Sequence, residues 1–326
     1  MSNVIARVFY HSFATPDVYE IIRQAAGIEF EVLTLDADDE EERCSKIAQC
    51  DAIICAATPL QKRHLDAGVN LKLVHHQGVG WQDTMDWKEI KRRRLPLALT
   101  PEGTTIGVAE HTILLMLAAA KRLPYADSEL RKGRWHVNAL RANSRELYGK
   151  TVGYIGMGRI AQAVAERLKV FGCAGIYVDP GDTLGTVEAV SLGVRRGSLD
   201  EVLAASDILT IHVPLTDSTR HMISVCALAK LKPGAIIINT ARGGIIDEHA
   251  LARELKSGHV LSAGIDVFED EPAREDNPLF ELDNVIITPH ISAGTSDAMR
   301  QKMEALFGNL KTFFAGGELR NRVTFP

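Results

Sequence analysis

Cysteine is scarce in this 326-residue chain, and its five copies are scattered: Cys44, Cys50, Cys55, Cys173 and Cys226 form an odd set with no CxxC pair. That spacing excludes a disulfide framework and the usual zinc patterns, so a reducing, cytoplasmic setting with no metal site is expected. Long apolar runs are missing as well. The longest, "ILLMLAAA" at 113–120, is bounded closely by Glu110, His111 and Lys121, and it falls short of the roughly 20 residues of a membrane span. The opening "MSNVIARVFY" has no small-residue cleavage site behind an apolar core, so a first strand is expected there and not a secretory signal. Positive charge is not in excess either. The net charge of −5, with "KRRR" at 91–94 as the one basic run, argues against nucleic acid as a partner. Neither a short-period repeat nor a low-complexity tract interrupts the chain.

What is present is an ordinary soluble composition, 46% hydrophobic and 24% charged, in a chain longer than a single core usually supports, so two domains are expected. The first hundred residues alternate strand-like runs ("VIARVFY", "EVLTL", "AIICAA", "LKLVHH", "LPLALT") with segments of helical spacing. A helical stretch from Thr104 to about Leu123 and a polar segment through "RKGRW" follow. The alternation then restarts with "TVGYIG", "GIYVD", "ILTIHV", "AIIINT", "VLSAGIDVF" and "VIITPH". Such alternation predicts an α/β protein with two doubly wound parallel sheets. Met299, Met303, Leu306, Leu310 and Phe313 lie at helical spacing and predict a C-terminal amphipathic helix.

"TVGYIGMGRIAQAVAERL" reads as strand, tight turn and helix. Gly156-Met157-Gly158-Arg159-Ile160-Ala161 is a GxGxx(G/A) pattern. The first glycine permits the turn, the second lets backbone amides approach a pyrophosphate, and the small Ala161 lets the helix pack on the strand. The next strand ends in Asp179, 21 positions after Gly158, where a carboxylate accepts hydrogen bonds from ribose hydroxyls and repels a 2′-phosphate. No arginine follows immediately, only "PGDT". NAD is the expected cofactor.

Hydride chemistry on a ketone then needs a cation for an anionic group and a proton donor for the carbonyl oxygen. Arg242 closes the buried run "AIIIN" in "INTARGGIIDEHAL". A strand-end salt bridge is the plainer account of it, but its planar fork also suits a carboxylate. His290 in "VIITPHISAGT" ends another strand, and histidine is the side chain best suited to exchange a proton near neutral pH. A histidine acid works best with a carboxylate partner. Glu271 in "GIDVFEDEP" fits, and spacing alone leaves Glu269 and Asp270 open as alternatives.

With these motifs, "GVG" and its following Asp83, "TPEGTTIGVAEHT", "HVPLT" and "LKPGAIIINTARGGIIDE" occur in one order. Together they resemble the D-isomer-specific 2-hydroxyacid dehydrogenase family, which includes phosphoglycerate, glyoxylate/hydroxypyruvate and D-lactate dehydrogenases. The resemblance spans nearly the whole chain and implies that Arg242, Glu271 and His290 are catalytic. It implies a flavodoxin-like substrate domain from 1–100 with 291–326, and a Rossmann NAD-binding domain over 101–290. It places the substrate carboxylate on the backbone amides of Val79 and Gly80 and sets Asp266 against the nicotinamide carboxamide. Val213 and Pro214 would line the cofactor cleft, with Thr240 among the cofactor contacts. A homodimer is also implied, with Trp135 as an interface candidate or a core residue, and a small 2-oxo or 2-hydroxy acid as substrate.

Departures from the family pattern surround the expected carboxylate site. His75, His76 and Gln77 stand where many members carry small residues or an arginine, the spacing to Asp83 is one residue longer, and Glu102 replaces a usual glycine. They bear on substrate identity, not on reaction type; His75 or His76 is read as either a substrate contact or a structural residue. His111 and His212 are read as structural. Two other readings stay open: a phosphoglycerate dehydrogenase without a regulatory domain, since 36 residues after His290 are too few for one, and an NADH-sensing protein like the family's corepressors.

Overall fold

The computed structural model describes residues 4–56, 58–82, 84–181 and 183–325. They fall into two compact units, Met1–Thr104 with Thr295–Pro326, and Thr105–Gly294.

In the first unit β1 (Ala6–Tyr10), β2 (Phe30–Leu33), β3 (Ala52–Cys55), β4 (Leu73–His76) and β5 (Leu97–Leu99) form one parallel sheet in the order β2-β1-β3-β4-β5. This is the flavodoxin-like order. β3 takes the central place, and all four of its residues, Ala-Ile-Ile-Cys, are buried, as expected of a parallel strand covered on both faces. The helix Pro16–Ala26 starts on a proline, whose missing N–H costs nothing in a first turn, and stops at Gly27 with φ of 60°. The C-terminal helix Ser296–Phe314 forms as its periodicity predicts. It buries Met303, Leu306, Phe307 and Leu310 against Val8, Ile54 and Leu73, so the end of the chain completes the core begun by its first strand.

The second unit holds seven parallel strands, β6 (Thr151–Ile155), β7 (Ala174–Val178), β8 (Val194–Arg196), β9 (Ile208–Ile211), β10 (Ala235–Asn239), β11 (Val260–Ile265) and β12 (Val285–Ile287). Their order, β12-β11-β10-β9-β6-β7-β8, reverses direction between β6 and β9. Open sheets bind ligands at such a switch, outside the C-terminal strand ends. Two elements lack a readable sequence signal. β8 is three residues long, two of them exposed arginines, and exists because backbone pairing with β7 at the sheet edge outweighs its composition. The helix Leu123–Arg131, inside the segment read as a polar connection, begins on Leu-Pro and buries only Glu129. Among the described residues no helix is long and apolar enough to cross a membrane.

Candidate active site

Every candidate residue of the second unit follows a strand of one sheet, and parallel strands put all those ends on one edge. β6 leads into Gly156, whose φ of 90° is open to glycine and strained for other residues. A Cβ there would also stand 2.6 Å from the carbonyl oxygen of His212, beyond β9. The turn therefore packs across the switch point, against His212 and Val213, and Pro214 follows them in the chain. Gly158 caps the helix Arg159–Val170, and a Cβ on it would meet nothing within 4 Å. Ala161 is fully buried. A bare backbone turn, an outward glycine and a helix N-terminus make a cradle that suits a pyrophosphate. Arg159 is exposed and Ile160 half-buried. The Met157 side chain points into the core, while its amide donates to Asp179 Oδ2 at 2.7 Å. Asp179 Oδ1 accepts from the Gly181 amide at 2.8 Å.

Arg242, Glu271 and His290 follow β10, β11 and β12, three adjacent strands. Asn239 at the end of β10 folds the turn that carries Arg242. Its Oδ1 accepts from the Ala241 amide at 3.0 Å, and its Nδ2 donates to the Arg242 carbonyl at 2.9 Å. An asparagine closing an otherwise apolar strand is a signal the sequence reading passed over. Thr240 is buried and shares a hydrogen bond with Thr112 at 2.8 Å. Gly243 lets this turn lie on the loop after β11, since a Cβ there would overlap the Phe268 carbonyl oxygen at 1.7 Å. That contact ties the arginine's loop to the glutamate's.

Glu271 Oε1 accepts from the Phe268 amide at 3.1 Å, and Oε2 pairs with His290 Nδ1 at 2.8 Å. The structure thus pairs His290 with Glu271, while Glu269 pairs with His221 at 3.1 Å and caps the Glu248 amide. Burial works against ionising Glu271, but the hydrogen bond and charge of His290, the Phe268 amide and the Arg242 charge outweigh it and hold the carboxyl below its usual range. With Nδ1 committed to the carboxylate, the exchangeable proton of His290 lies on Nε2.

His290 has φ of 52°, a conformation unusual for a residue with a side chain. Its amide donates to the carbonyls of Asp266 at 2.8 Å and Thr288 at 3.1 Å. Asp266 is fully buried. Its Oδ1 accepts from Thr288 Oγ1 at 2.5 Å and the Ile291 amide at 3.0 Å, and its Oδ2 from the Ser292 amide at 2.9 Å. His111, on the helix Thr104–Lys121, bonds Thr288 Oγ1 at 3.1 Å and lies 3.6 Å from Asp266. These bonds, centred on the buried Asp266, hold the histidine's loop. His212 is held by Thr210 Oγ1 at 3.0 Å.

In the first unit the loop after β4 is organised by the residues that depart from the family pattern. The His76 ring accepts from the Gly78 amide at 3.0 Å, and the carbonyls of His76 and Gly78 both accept from the Thr100 amide. Thr84 Oγ1 donates to the Gly80 carbonyl at 3.1 Å. With these carbonyls turned inward, Val79 is left 46% exposed. His75 is buried and bonded to Asn309 Nδ2 at 3.0 Å. Burial pushes its pKa down to about 4, so it is a neutral packing group. Gln77 is half-buried and its Oε1 accepts from Tyr10 Oη at 3.2 Å. Glu102 is exposed. Asp83 lies outside the described residues. Among the described residues no group of three or more His, Cys, Asp or Glu is arranged to hold a metal ion.

A doubly wound sheet with a glycine turn and a strand-end aspartate defines a dinucleotide-binding domain. Residues 113–292 match the model of the D-isomer specific 2-hydroxyacid dehydrogenase NAD binding domain, and the chain belongs to that family, with NAD(H) as the cofactor of this domain. D-3-phosphoglycerate dehydrogenase of Mycobacterium tuberculosis is 40% identical over 84% of this chain and 51% of its own length. The chain thus spans about half the length of such curated relatives. Hydroxypyruvate reductase of Thermotoga maritima is 41% identical over 81% of this chain and 84% of its own length. The structure of a glyoxylate reductase from Paecilomyes thermophila, 28% identical, superposes with a TM-score of 0.82 over 97% of this chain and 98% of that one.

Proposed function

We propose that this chain is an NAD-dependent oxidoreductase that interconverts a small D-2-hydroxy acid and its 2-oxo acid. The observation that carries this reading is the 2.8 Å pair of His290 and Glu271 on the strand edge that also carries Arg242 and the dinucleotide turn. NAD(H), when bound, supplies or takes the hydride at the substrate's C2. Arg242 grips the carboxylate and polarises the carbonyl of the 2-oxo acid. His290 gives its Nε2 proton to the carbonyl oxygen, and takes one from the hydroxyl in the reverse direction. Glu271 keeps Nδ1–H oriented and balances the imidazolium charge. Within the first unit, the amides of Val79 and Gly80 are the candidate carboxylate donors, and within the second Asp266 serves by fixing the His290 loop. The first unit acts as the substrate domain and the second as the cofactor domain.

Between the relatives' activities, the β4 loop favours a small, unphosphorylated acid. From His75 to Gln82 it carries no lysine or arginine, and a buried neutral His75 cannot supply the cation that a substrate phosphate calls for. A panel of glyoxylate, hydroxypyruvate, pyruvate, phenylpyruvate and 3-phosphohydroxypyruvate, assayed with NADH and with NADPH, tests the proposal. Glyoxylate or hydroxypyruvate is expected to lead, with NADH preferred. No turnover of any of them, with NADH bound normally, would favour a sensing role instead.

Glu271→Gln tests the pairing. A carboxyl held below its ordinary range keeps Glu271 ionised until the pH falls below about 4.5. The acid limb of wild-type reduction attributable to this pair therefore lies below that pH. The glutamine keeps a hydrogen bond but not the charge, so the acid limb that belongs to Glu271 is expected to vanish from the variant's profile. Superimposable pH–rate profiles of wild type and variant would rule the pairing out.

A homodimer belongs to the same proposal. Leu123, Leu130, Trp135 and Val137 are each more than half exposed in the isolated chain, Trp135 at 77%, and such apolar surface marks an interface. Light scattering is expected to give twice 35.7 kDa; a concentration-independent monomer mass would refute it.

A further inference from the structure

The peptide that joins Phe268 to Glu269 is fixed at both ends. Its carbonyl lies on Gly243, where a Cβ would overlap it, and its N–H donates to Glu248 Oε1 at 2.7 Å. Glu269 Oε1 accepts in return from the Glu248 amide at 3.2 Å, so two glutamates bond each other's backbone. The second Glu248 oxygen accepts from Asn277 Nδ2 at 2.6 Å. His221 donates its amide to the Gly244 carbonyl at 2.8 Å and pairs through Nε2 with Glu269 Oε1 at 3.1 Å. Residues that follow β9, β10 and β11 are thus bound to one another around the two glutamates.

Stability does not account for the arrangement. Glu248 is 8% exposed. Burial, with the charges of Glu269 and Asp270, outweighs its two hydrogen bonds and pushes its pKa up. A carboxyl whose pKa rises on folding subtracts stability at neutral pH. What the arrangement serves lies one residue away. The Phe268 amide, beside the fixed peptide, donates to Glu271 Oε1, and Glu271 Oε2 holds His290.

We infer that Glu248 is a positioning residue for this pair, on the reading that His290 and Glu271 are the acid and its partner. Its carboxylate fixes the Phe268–Glu269 peptide, the neighbouring amide aims Glu271, and Glu271 aims His290. Glu248 acts through backbone bonds without itself meeting the reacting atoms. When the peptide is released, Glu271 drifts from Nδ1. Burial then acts on Glu271 with less to oppose it, because the His290 and Phe268 bonds are among the causes that hold its carboxyl down.

The experiment separates reach from charge. Glu248→Asp keeps the charge but is one methylene short of the Glu269 amide. Glu248→Gln keeps an oxygen for that amide but has no charge. The residue opens the helix Glu248–Ser257, where the aspartate is also favoured. Reduction of a 2-oxo acid is followed across pH for both variants, with NADH titrated by fluorescence and thermal melting recorded. Glu248→Asp is expected to lower kcat by roughly tenfold or more, since a misplacement of about 1 Å can cost 10²-fold. KM and NADH binding should stay near wild type, and the acid limb should move to higher pH. Glu248→Gln should lose the Asn277 bond and some melting temperature, yet keep kcat and the acid limb near wild type.

A role through charge predicts the reverse: aspartate near wild type, and a glutamine variant whose acid limb moves down because a negative neighbour of Glu271 is gone. That result overturns the inference. So does a pair of variants that melt earlier but share wild-type kcat and acid limb. His290→Ala, assayed alongside, tells the two failures apart. If it retains turnover, the acid–base reading has failed and the role of Glu248 falls with it. If it loses turnover while Glu248→Asp behaves as wild type, only the role of Glu248 is overturned.

Discussion

His290→Ala is expected to lower turnover in 2-oxo acid reduction by roughly 10²–10⁴-fold, the usual contribution of a positioned general acid, while NADH binding stays near wild type. The imidazole is placed by three independent devices: the Glu271 hydrogen bond on Nδ1, the amide bonds to Asp266 and Thr288, and the Asp266 carboxylate on the next two backbone amides. Only the first involves the His290 side chain. Alanine therefore removes the proton donor and leaves the loop's backbone anchors in place. Single-turnover rates with excess enzyme and a fluorescence titration of NADH separate the two effects. Near-normal turnover in a variant that binds NADH would show that His290 is not the acid.

Arg242→Ala is expected to lower kcat/KM for the 2-oxo acid by a comparable factor through a different route. Two charge-assisted hydrogen bonds to a carboxylate are worth about 3–6 kcal/mol together, or roughly 10²–10⁴ in kcat/KM. Both KM and kcat should suffer, because the same guanidinium orients the acid and polarises its carbonyl. The turn itself should survive, since Asn239 holds it through the Ala241 amide and the Arg242 carbonyl, backbone groups that alanine retains. Arg242→Lys should restore part of the binding and less of the turnover, because an ammonium cannot fork. Steady-state kinetics across the series, with NADH titration as control, checks this. If alanine lowers thermal stability but leaves KM and kcat untouched, the arginine is a strand-end salt bridge and no more.

The alternation of apolar runs with helical segments was enough to predict two parallel sheets, because a buried parallel strand must be apolar on both faces and its crossover helix on one. Gly156, Gly158 and Asp179 were legible for a related reason: they act through a local turn and one strand, whose spacing the chain itself sets. Arg242 and His290 stood out as polar residues at apolar strand ends. The pairing of His290 with Glu271 was beyond composition and spacing, since Glu269 and Asp270 are equally acidic neighbours, and the packing of Gly243 on the Phe268 carbonyl together with the Phe268 amide and Glu248 bonds sets how that loop presents its side chains. His75 and His76 look like site residues in the sequence. Burial and bonds to Asn309 and Gly78 make them the frame of their loop. Asn239 and Asp266 do their work with side-chain groups bonded to backbone amides and carbonyls, and those backbone partners have no signature in residue type. Arg196 is the clearest case. Its Nη2 donates to the Asp179 carbonyl at 2.8 Å from 17 residues along the chain, on a strand too short and too charged to predict. Its position beside the Asp179 turn comes from the β7–β8 register, because hydrogen bonding between strand backbones is indifferent to the side chains it carries into place.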